Sequence, residues 1–305
     1  MHSPRHLILV RPTCFAFNIE TAVSNAFQKN AAIENANEKA LAEFENLTGI
    51  LAENKISFTI FENVKGENTP DAVFPNNWFS THHDGKIITY PMMAPSRRKE
   101  RNPEVMEFLK KNFTVTEIID LAAAENENRF LEGTGSIVFD HTTKTAYACE
   151  SPRTDMKLFE KLCDIVNYTP VSFCAFGPKG EEVYHTNVVM SIGEQFILIC
   201  LESIENILER KMVMNQLEKS GKKIIPVSFL QMNSFAGNML EVCNEKNELV
   251  LLMSSTAFHS LEEHQKNTLS GFARIVHIPI PTIETLGGGS IRCMMAGVHL
   301  EGREF

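Results

Sequence analysis

A unit of about fifty residues recurs along this chain, and no other feature limits the possible folds so strongly. Five short segments each open a strand-like run after a polar or glycine-rich stretch: Asn77–Phe79, Ser136–Val138, Asn187–Val189, Asn238–Leu240 and Ser290–Arg292. Their first residues are 59, 51, 51 and 52 positions apart. The flanks repeat as well. A turn such as His83-Asp84-Gly85 or Ile192-Gly193-Glu194 leads into a second apolar run (87–90, 145–149, 196–201, 249–253), which reads as a hairpin. A helix-like stretch follows, with apolar residues three or four apart, as at Ile204, Ile207, Leu208, Met212 and Leu217. Then comes a further strand (56–61, 115–121, 171–175, 223–227, 274–279). Chance spacing explains this poorly, because the type of unit recurs together with its period.

Such a unit cannot bury its apolar face alone, so five of them should pack around a common axis. The expected fold is therefore α/β, with pseudo-fivefold hairpin–helix–strand repeats. The N-terminal run 6–10 resembles the last strand of a unit and would close the ring. A long helix is expected from about 20 to 54. No Pro/Ser-rich linker divides the chain, so residues 1–305 read as a single domain.

Hydrophobic residues make up 43% of the 305, enough for a sizeable core, and the net charge is -9. Nucleic acid is not the expected partner, because phosphate binding needs a basic face. The first residues, 1–5, lead into a short apolar strand and not a signal-peptide core. No apolar run approaches the ~20 residues of a membrane span. Seven cysteines without paired short spacing do not suggest a disulfide framework or a zinc ribbon. A cytoplasmic protein that does not engage membranes is expected, with its oligomeric state open, a homo-oligomer included.

In a ring of repeats the equivalent strand starts converge near the axis. Asp71, Asn77, Glu132, Ser136, His185, Asn187, Asn238 and Cys293 lie at or beside those starts. A Cys, a His and two carboxylates in one pocket suit nucleophilic catalysis. Cys293 ends the run Gly287-Gly288-Gly289-Ser290-Ile291-Arg292, and glycines permit close backbone approach. Taken singly, a cysteine is usually a small buried hydrophobe. That reading is kept for Cys149, Cys163, Cys174, Cys200 and Cys243, while Cys14 is undecided. Taken singly, His185 could be a hydrogen-bonded structural histidine. Glu132, between apolar residues and glycines, is hard to explain as surface charge. Asp71 follows Pro70, a pairing common in turns. His82 and His83, beside Asp84-Gly85, read as a solvent-facing turn and not as metal ligands. Arg97 and Arg101 could be a solvated patch. Alternatively, one of them clamps a substrate carboxylate, which a guanidinium matches bidentately.

The segments from Asp71 to Trp78, from Phe130 to Gly133, from His185 to Asn187 and the glycine run to Cys293 together resemble the guanidino-group-modifying enzyme superfamily. This group includes arginine deiminases, dimethylarginine hydrolases, amidinotransferases and succinylarginine dihydrolases. Each motif is weak alone, but their order along nearly the whole chain is specific. The chain is most similar to the citrulline-utilization hydrolase branch, through Phe74–Phe79, Tyr90–Met92 and Arg97–Arg101. The resemblance implies the five-bladed α/β propeller, or pentein, and a reaction that needs no metal or cofactor. It implies Cys293 as nucleophile and His185 as general acid and base. Glu132 would bind substrate nitrogens and orient His185, and Asp71 would hold the substrate's side-chain nitrogens.

A guanidine or urea carbon is a poor electrophile, so a thiolate that splits the reaction into two steps makes chemical sense. The sequence departs from the deiminase pattern at Asn77 and Asn187, where relatives carry Asp. An amide offers both a donor and an acceptor and suits a neutral ureido group. A cationic guanidinium would instead draw more carboxylates. The expected substrate is therefore citrulline or a near relative, giving ornithine, ammonia and carbon dioxide. An arginine-type deiminase or dihydrolase and an amidinotransferase are the alternatives. A non-catalytic pentein resembling the ribosome anti-association factor is a further one, though it would need no nucleophile.

Overall fold

The computed structural model describes residues 3–303. Met1, His2, Glu304 and Phe305, at the ends of the expected 1–305 unit, lie outside the described residues. In chain order the strands are β1 (His6–Val10), β2 (Ser57–Phe61), β3 (Phe79–Thr81), β4 (Lys86–Thr89), β5 (Glu117–Asp120), β6 (Ile137–Asp140), β7 (Thr145–Glu150), β8 (Thr169–Cys174), β9 (Met190–Ile192), β10 (Phe196–Ile199), β11 (Lys223–Pro226), β12 (Leu240–Cys243), β13 (Leu249–Ser254), β14 (Arg274–Ile278) and β15 (Ala296–Val298).

These strands form five three-stranded sheets: β3-β4-β5, β6-β7-β8, β9-β10-β11, β12-β13-β14 and β15-β1-β2. In each, the first two strands pair antiparallel and the third lies parallel to the middle one. The parallel step needs a crossover, and a helix supplies it. One example is Met156–Val166, which starts where Asp155 accepts the Leu158 N–H. Its Leu158, Phe159, Leu162 and Val166 are buried against the second sheet. Burying side chains of this size contributes about 1.5–3 kcal/mol each.

The repeat expected from the sequence is present, with three corrections. The N-terminal run is the middle strand of its sheet and not the last. Ile8 pairs with Ala296 of β15 on one side and Thr59 of β2 on the other, so the two ends of the chain complete one unit. The long N-terminal helix covers only Ala36–Glu53. Before it lie one short helix, Ile19–Ala22, and an irregular strap. The helix Ile207–Lys219 is where the apolar spacing placed it, but on another face. Val213 and Leu217 are buried, whereas Ile207, Leu208 and Met212 are exposed.

The five first strands face a common axial cavity of about 60 Å³, lined by residues of β3, β6, β9, β12 and β15. The turns that enter these strands are tied to one another around the axis. Asn77 Nδ2 donates to the Glu132 carbonyl at 3.4 Å, and Thr186 Oγ1 to the Ser136 carbonyl at 2.6 Å. Asn238 Nδ2 donates to the Asn187 carbonyl at 3.1 Å, and the Arg292 N–H to Asn238 Oδ1 at 3.0 Å. Buried backbone acceptors need partners, and the neighbouring turn provides them. Among the described residues, no helix is long and apolar enough to cross a membrane.

Candidate active site

Cys293, His185, Asp71, Asn77 and Arg97 line one small pocket together with Thr21, Asn25, Phe74, Arg153, Tyr184, Gly287 and Gly289. Cys293, His185, Asp71 and Asn77 come from entry turns or their flanks, so the repeat itself concentrates them, while Arg97 comes from the short helix Pro95–Arg98 after β4. The glycine run serves packing. Gly288 ends the helix Pro281–Gly287 at φ +63°, a conformation that favours glycine. A Cβ on Gly289 would stand 2.9 Å from the Phe74 ring. On the other wall, a Cβ at Gly135 would meet Asn77 Nδ2 at 2.3 Å and His185 Nδ1 at 2.6 Å.

The Cys293 sulfur is buried and accepts two amide hydrogen bonds, from Asn238 Nδ2 at 3.2 Å and Asn187 Nδ2 at 3.4 Å. An anionic sulfur is the better acceptor of such donors. All seven cysteines are free thiols. Cys149 and Cys163 are buried, and burial pushes both thiols up to about 12.

Glu132 is fully buried behind the pocket and gathers three of its lining residues. His185 Nε2 lies 2.9 Å from its Oε2, Arg153 is 3.5 Å away and Arg97 3.8 Å. The Met93 N–H donates to its other oxygen at 3.0 Å. Burial pushes the Glu132 carboxyl up, but Arg153, the hydrogen bond with His185 and Arg97 overcome it. They hold the carboxyl well below the usual range. Burial lowers His185 to about 4 against the pull of Glu132, so the ring is neutral at neutral pH. With Glu132 ionised, Nε2–H donates to it and Nδ1 carries the lone pair.

Arg97 is buried and held on several sides. It donates to Glu100 through Nε and Nη2 at 3.0 Å, to Asn77 Oδ1 at 2.8 Å and to the Phe74 carbonyl at 3.2 Å. Burial raises Glu100 to about 7 against the pull of Arg97. Asp71 Oδ2 accepts from Asn18 Nδ2 at 2.8 Å and from Thr21 Oγ1 at 3.1 Å. Its Oδ1 is buried without a hydrogen-bond partner. Burial raises the Asp71 carboxyl, opposed by Arg97 and by those two hydrogen bonds.

One expected site residue sits elsewhere, and another stands between the sulfur and the axial cavity. Arg101 donates to the Tyr90 carbonyl at 2.9 Å and pairs with Glu125, away from the pocket. Asn187 touches the sulfur but otherwise faces the axial cavity, and its Oδ1 is buried without a partner. His82 and His83 do lie in a hairpin turn, but only His83 faces solvent. His82 is buried and bonded to Ser80 Oγ at 2.9 Å.

Several pocket groups were not picked out by sequence reasoning. Asn18, Thr21, Asn25 and Gln28 belong to the strap that crosses the pocket, a stretch read as helix from about residue 20 onward. Asn25 Nδ2 reaches the Gly287 and Gly288 carbonyls at 3.4 Å, and the Lys29 N–H donates to the Thr285 carbonyl. Arg153 joins the strap to Glu132, donating to the Thr21 carbonyl at 2.7 Å and to Ser24 Oγ at 2.9 Å. A signal for it existed: Arg153 follows β7 and Pro152 much as Arg97 follows β4 and Pro91. Tyr184 lies under the Arg153 guanidinium and donates to the Gly288 carbonyl at 2.6 Å.

Five hairpin–helix–strand units around an axis, with a cysteine, a histidine and a buried glutamate on their entry turns, define a pentein of the guanidino-modifying type. The family model for eukaryotic N,N-dimethylarginine dimethylhydrolase matches residues 11–300, and the chain belongs to that family. The structure is similar to the substrate-bound N-terminal domain of ArgZ, an arginine dihydrolase of the cyanobacterial ornithine–ammonia cycle. The TM-score is 0.76 at 16% identity, covering 97% of this chain and 98% of that one. Unliganded AgrE has a TM-score of 0.76 at 16% identity, over 98% of this chain and 40% of its own longer chain. A dimethylarginine dimethylaminohydrolase adduct has a TM-score of 0.66 at 16% identity, over 96% and 99%. At such identities the structural likeness speaks for the fold. No curated protein matches the sequence.

Proposed function

We propose that this chain acts as one catalytic domain in the cytoplasm, where its seven free thiols would be stable. Its reaction is hydrolysis of the ureido group of citrulline or a near relative through Cys293. The observation that carries the choice of substrate is the charge balance of the pocket. Glu132, the carboxylate beside His185, already faces both Arg153 and Arg97. Arg97 is further engaged by Glu100. Little negative charge is left over for a cation, and a buried charge without compensation is expensive. A neutral ureido group makes no such demand. Asp71 Oδ1 would accept one of its N–H groups.

In the proposed sequence His185 takes the thiol proton and the Cys293 sulfur attacks the ureido carbon. His185 then protonates the departing amine nitrogen, the C–N bond breaks, and ornithine leaves an S-carbamoyl cysteine behind. A water, deprotonated by His185, attacks the carbamoyl carbon and expels the thiolate. The carbamic acid released decomposes to ammonia and carbon dioxide. Asn187 and Asn238 would stabilise the sulfur anion whenever it forms, and Glu132 would stabilise the imidazolium.

A second reading, hydrolysis of arginine or a methylated arginine, is favoured by the family and by Asp71, whose buried free oxygen could pair with a guanidinium. Measuring kcat/KM for citrulline, arginine and dimethylarginine, with ornithine, citrulline and ammonia as products, separates the two. Citrulline is expected to be preferred. A tenfold preference for arginine, about 1.4 kcal/mol of transition-state binding, would overturn the charge argument.

A further inference from the structure

The first strands of the units run from the catalytic entry turns toward the opposite end of the axis. At that far end, three neighbouring units place a histidine just beyond the strand. His299 follows β15, His141 follows β6, and His83 lies in the turn after β3. One nitrogen from each ring lies within 4.8 Å of the others. The ring centroids are 4.0 Å apart for His141 and His299, 5.2 Å for His83 and His299, and 5.4 Å for His83 and His141. From this convergence we infer a divalent transition-metal site, with zinc the best-matched ion, on the face remote from Cys293.

Three imidazoles are a donor set that zinc accepts, with water completing a tetrahedron. Tetrahedral Zn–N bonds of about 2.0–2.1 Å put ligand nitrogens roughly 3.3 Å apart. Small side-chain rotations therefore suffice to close the cluster. The backbone carrying His299 is tied to β3: the His299 N–H donates to Thr81 Oγ1 at 2.8 Å, and Thr81 Oγ1 donates to the Gly297 carbonyl at 3.1 Å. His141 Nδ1 lies 2.8 Å from the Tyr168 hydroxyl. In the tautomer where Nδ1–H donates to that oxygen, Nε2 carries the lone pair a metal needs. Metal-binding histidines are commonly oriented in this way. His83 is exposed and gives the ion a route in, while His141 and His299 border the axial cavity. A bound ion would tie the C-terminal strand to two neighbouring sheets. The alternative is a stack of rings, since His141 also packs on Phe139 and Tyr168.

The test uses untagged full-length protein carrying Cys293→Ser, which removes the thiolate as a competing ligand. Cobalt(II) titrated into it should give a saturable visible d–d absorption at one equivalent, without sulfur charge transfer, and zinc should displace it. Zinc should also raise the melting temperature. Because losing an orienting partner of a metal ligand costs about 10–100-fold in affinity, losing a ligand itself should cost at least that. His299→Ala, His141→Gln and His83→Ala are therefore each expected to weaken binding by that factor. His83 is exposed, so its replacement leaves the fold intact. No saturable binding, or affinity unchanged in His83→Ala and His141→Gln, would show a ring stack only.

Discussion

The entry turns around the axis and the strap over residues 18–29 meet across one pocket, yet they hold their residues in different ways. Each turn is part of a repeated unit backed by a sheet, and four hydrogen bonds tie the five turns in sequence from Asn77 to Arg292. The strap contains no strand. It is held by side chains reaching across: Asn18 and Thr21 to Asp71, Arg153 to the Thr21 carbonyl, and Asn25 to the glycine run. Ile19 and Val23 on it are 76% and 86% exposed. Residues that perform chemistry should sit on the rigid part, and residues that admit and enclose substrate on the part held by few contacts.

The largest expected effect falls on the rigid side. Cys293→Ala should lower kcat by on the order of 10⁴-fold or more while the protein still melts cooperatively. Activity within tenfold of wild type would remove Cys293 from the chemistry. Glu132→Gln should come next and affect both properties, because it leaves Arg153 and Arg97 without their shared partner. A loss of about 3–5 kcal/mol in denaturant unfolding is expected, with kcat reduced roughly 10²–10⁴-fold. If stability is untouched, the turns are not organised around this carboxylate.

The strap should respond differently. Asn18→Ala removes a hydrogen bond to Asp71 and the cap of the short helix. It should raise KM by roughly tenfold, in keeping with one hydrogen bond to a charged group, with kcat and the melting temperature nearly unchanged. A fall in kcat with KM constant would make the strap part of the chemical machinery and erase the contrast.

The smallest effect concerns pH. Burial lowers both His82 and His185 from 6.5 to about 4, so the unfolded chain binds more protons between those values. Their contribution to stability therefore falls as pH drops from 6.5 toward 4. Glu100 acts in the other sense. Its carboxyl is raised from 4.5 to about 7, so stability linked to it is present below 4.5 and lost as pH rises through 7. His82→Gln should flatten the acid-side slope of stability and leave kcat alone, since His82 lies at the far end of β3. An unchanged slope would mean that His82 is not a source of acid sensitivity.

Much of the blade architecture was legible because the period is carried by residues the fold needs: small or polar residues on entry turns, then β-branched and apolar strands. The same turns presented Cys293, His185, Glu132 and Asp71 as candidates. The strap was not legible because its spacing mimics a helix. What fixes it instead are long-range side-chain contacts such as Asn25 to Gly287, 262 residues apart in sequence. The exposed face of Ile207–Lys219 misled for a related reason, since Ile207, Leu208 and Met212 keep the apolar period without being buried. The His83, His141 and His299 cluster escaped notice because its members are 58 and 158 residues apart and meet only through the topology.

The central claim, a covalent intermediate on Cys293, is most directly tested by acid-quenching the enzyme during turnover of citrulline and, separately, of arginine. Intact-mass spectrometry and peptide mapping would follow. The account predicts a carbamoyl adduct confined to the Cys293 peptide with citrulline, absent from Cys293→Ala. Steady turnover with no adduct on any cysteine across the quench series, or an adduct on another residue, would contradict it.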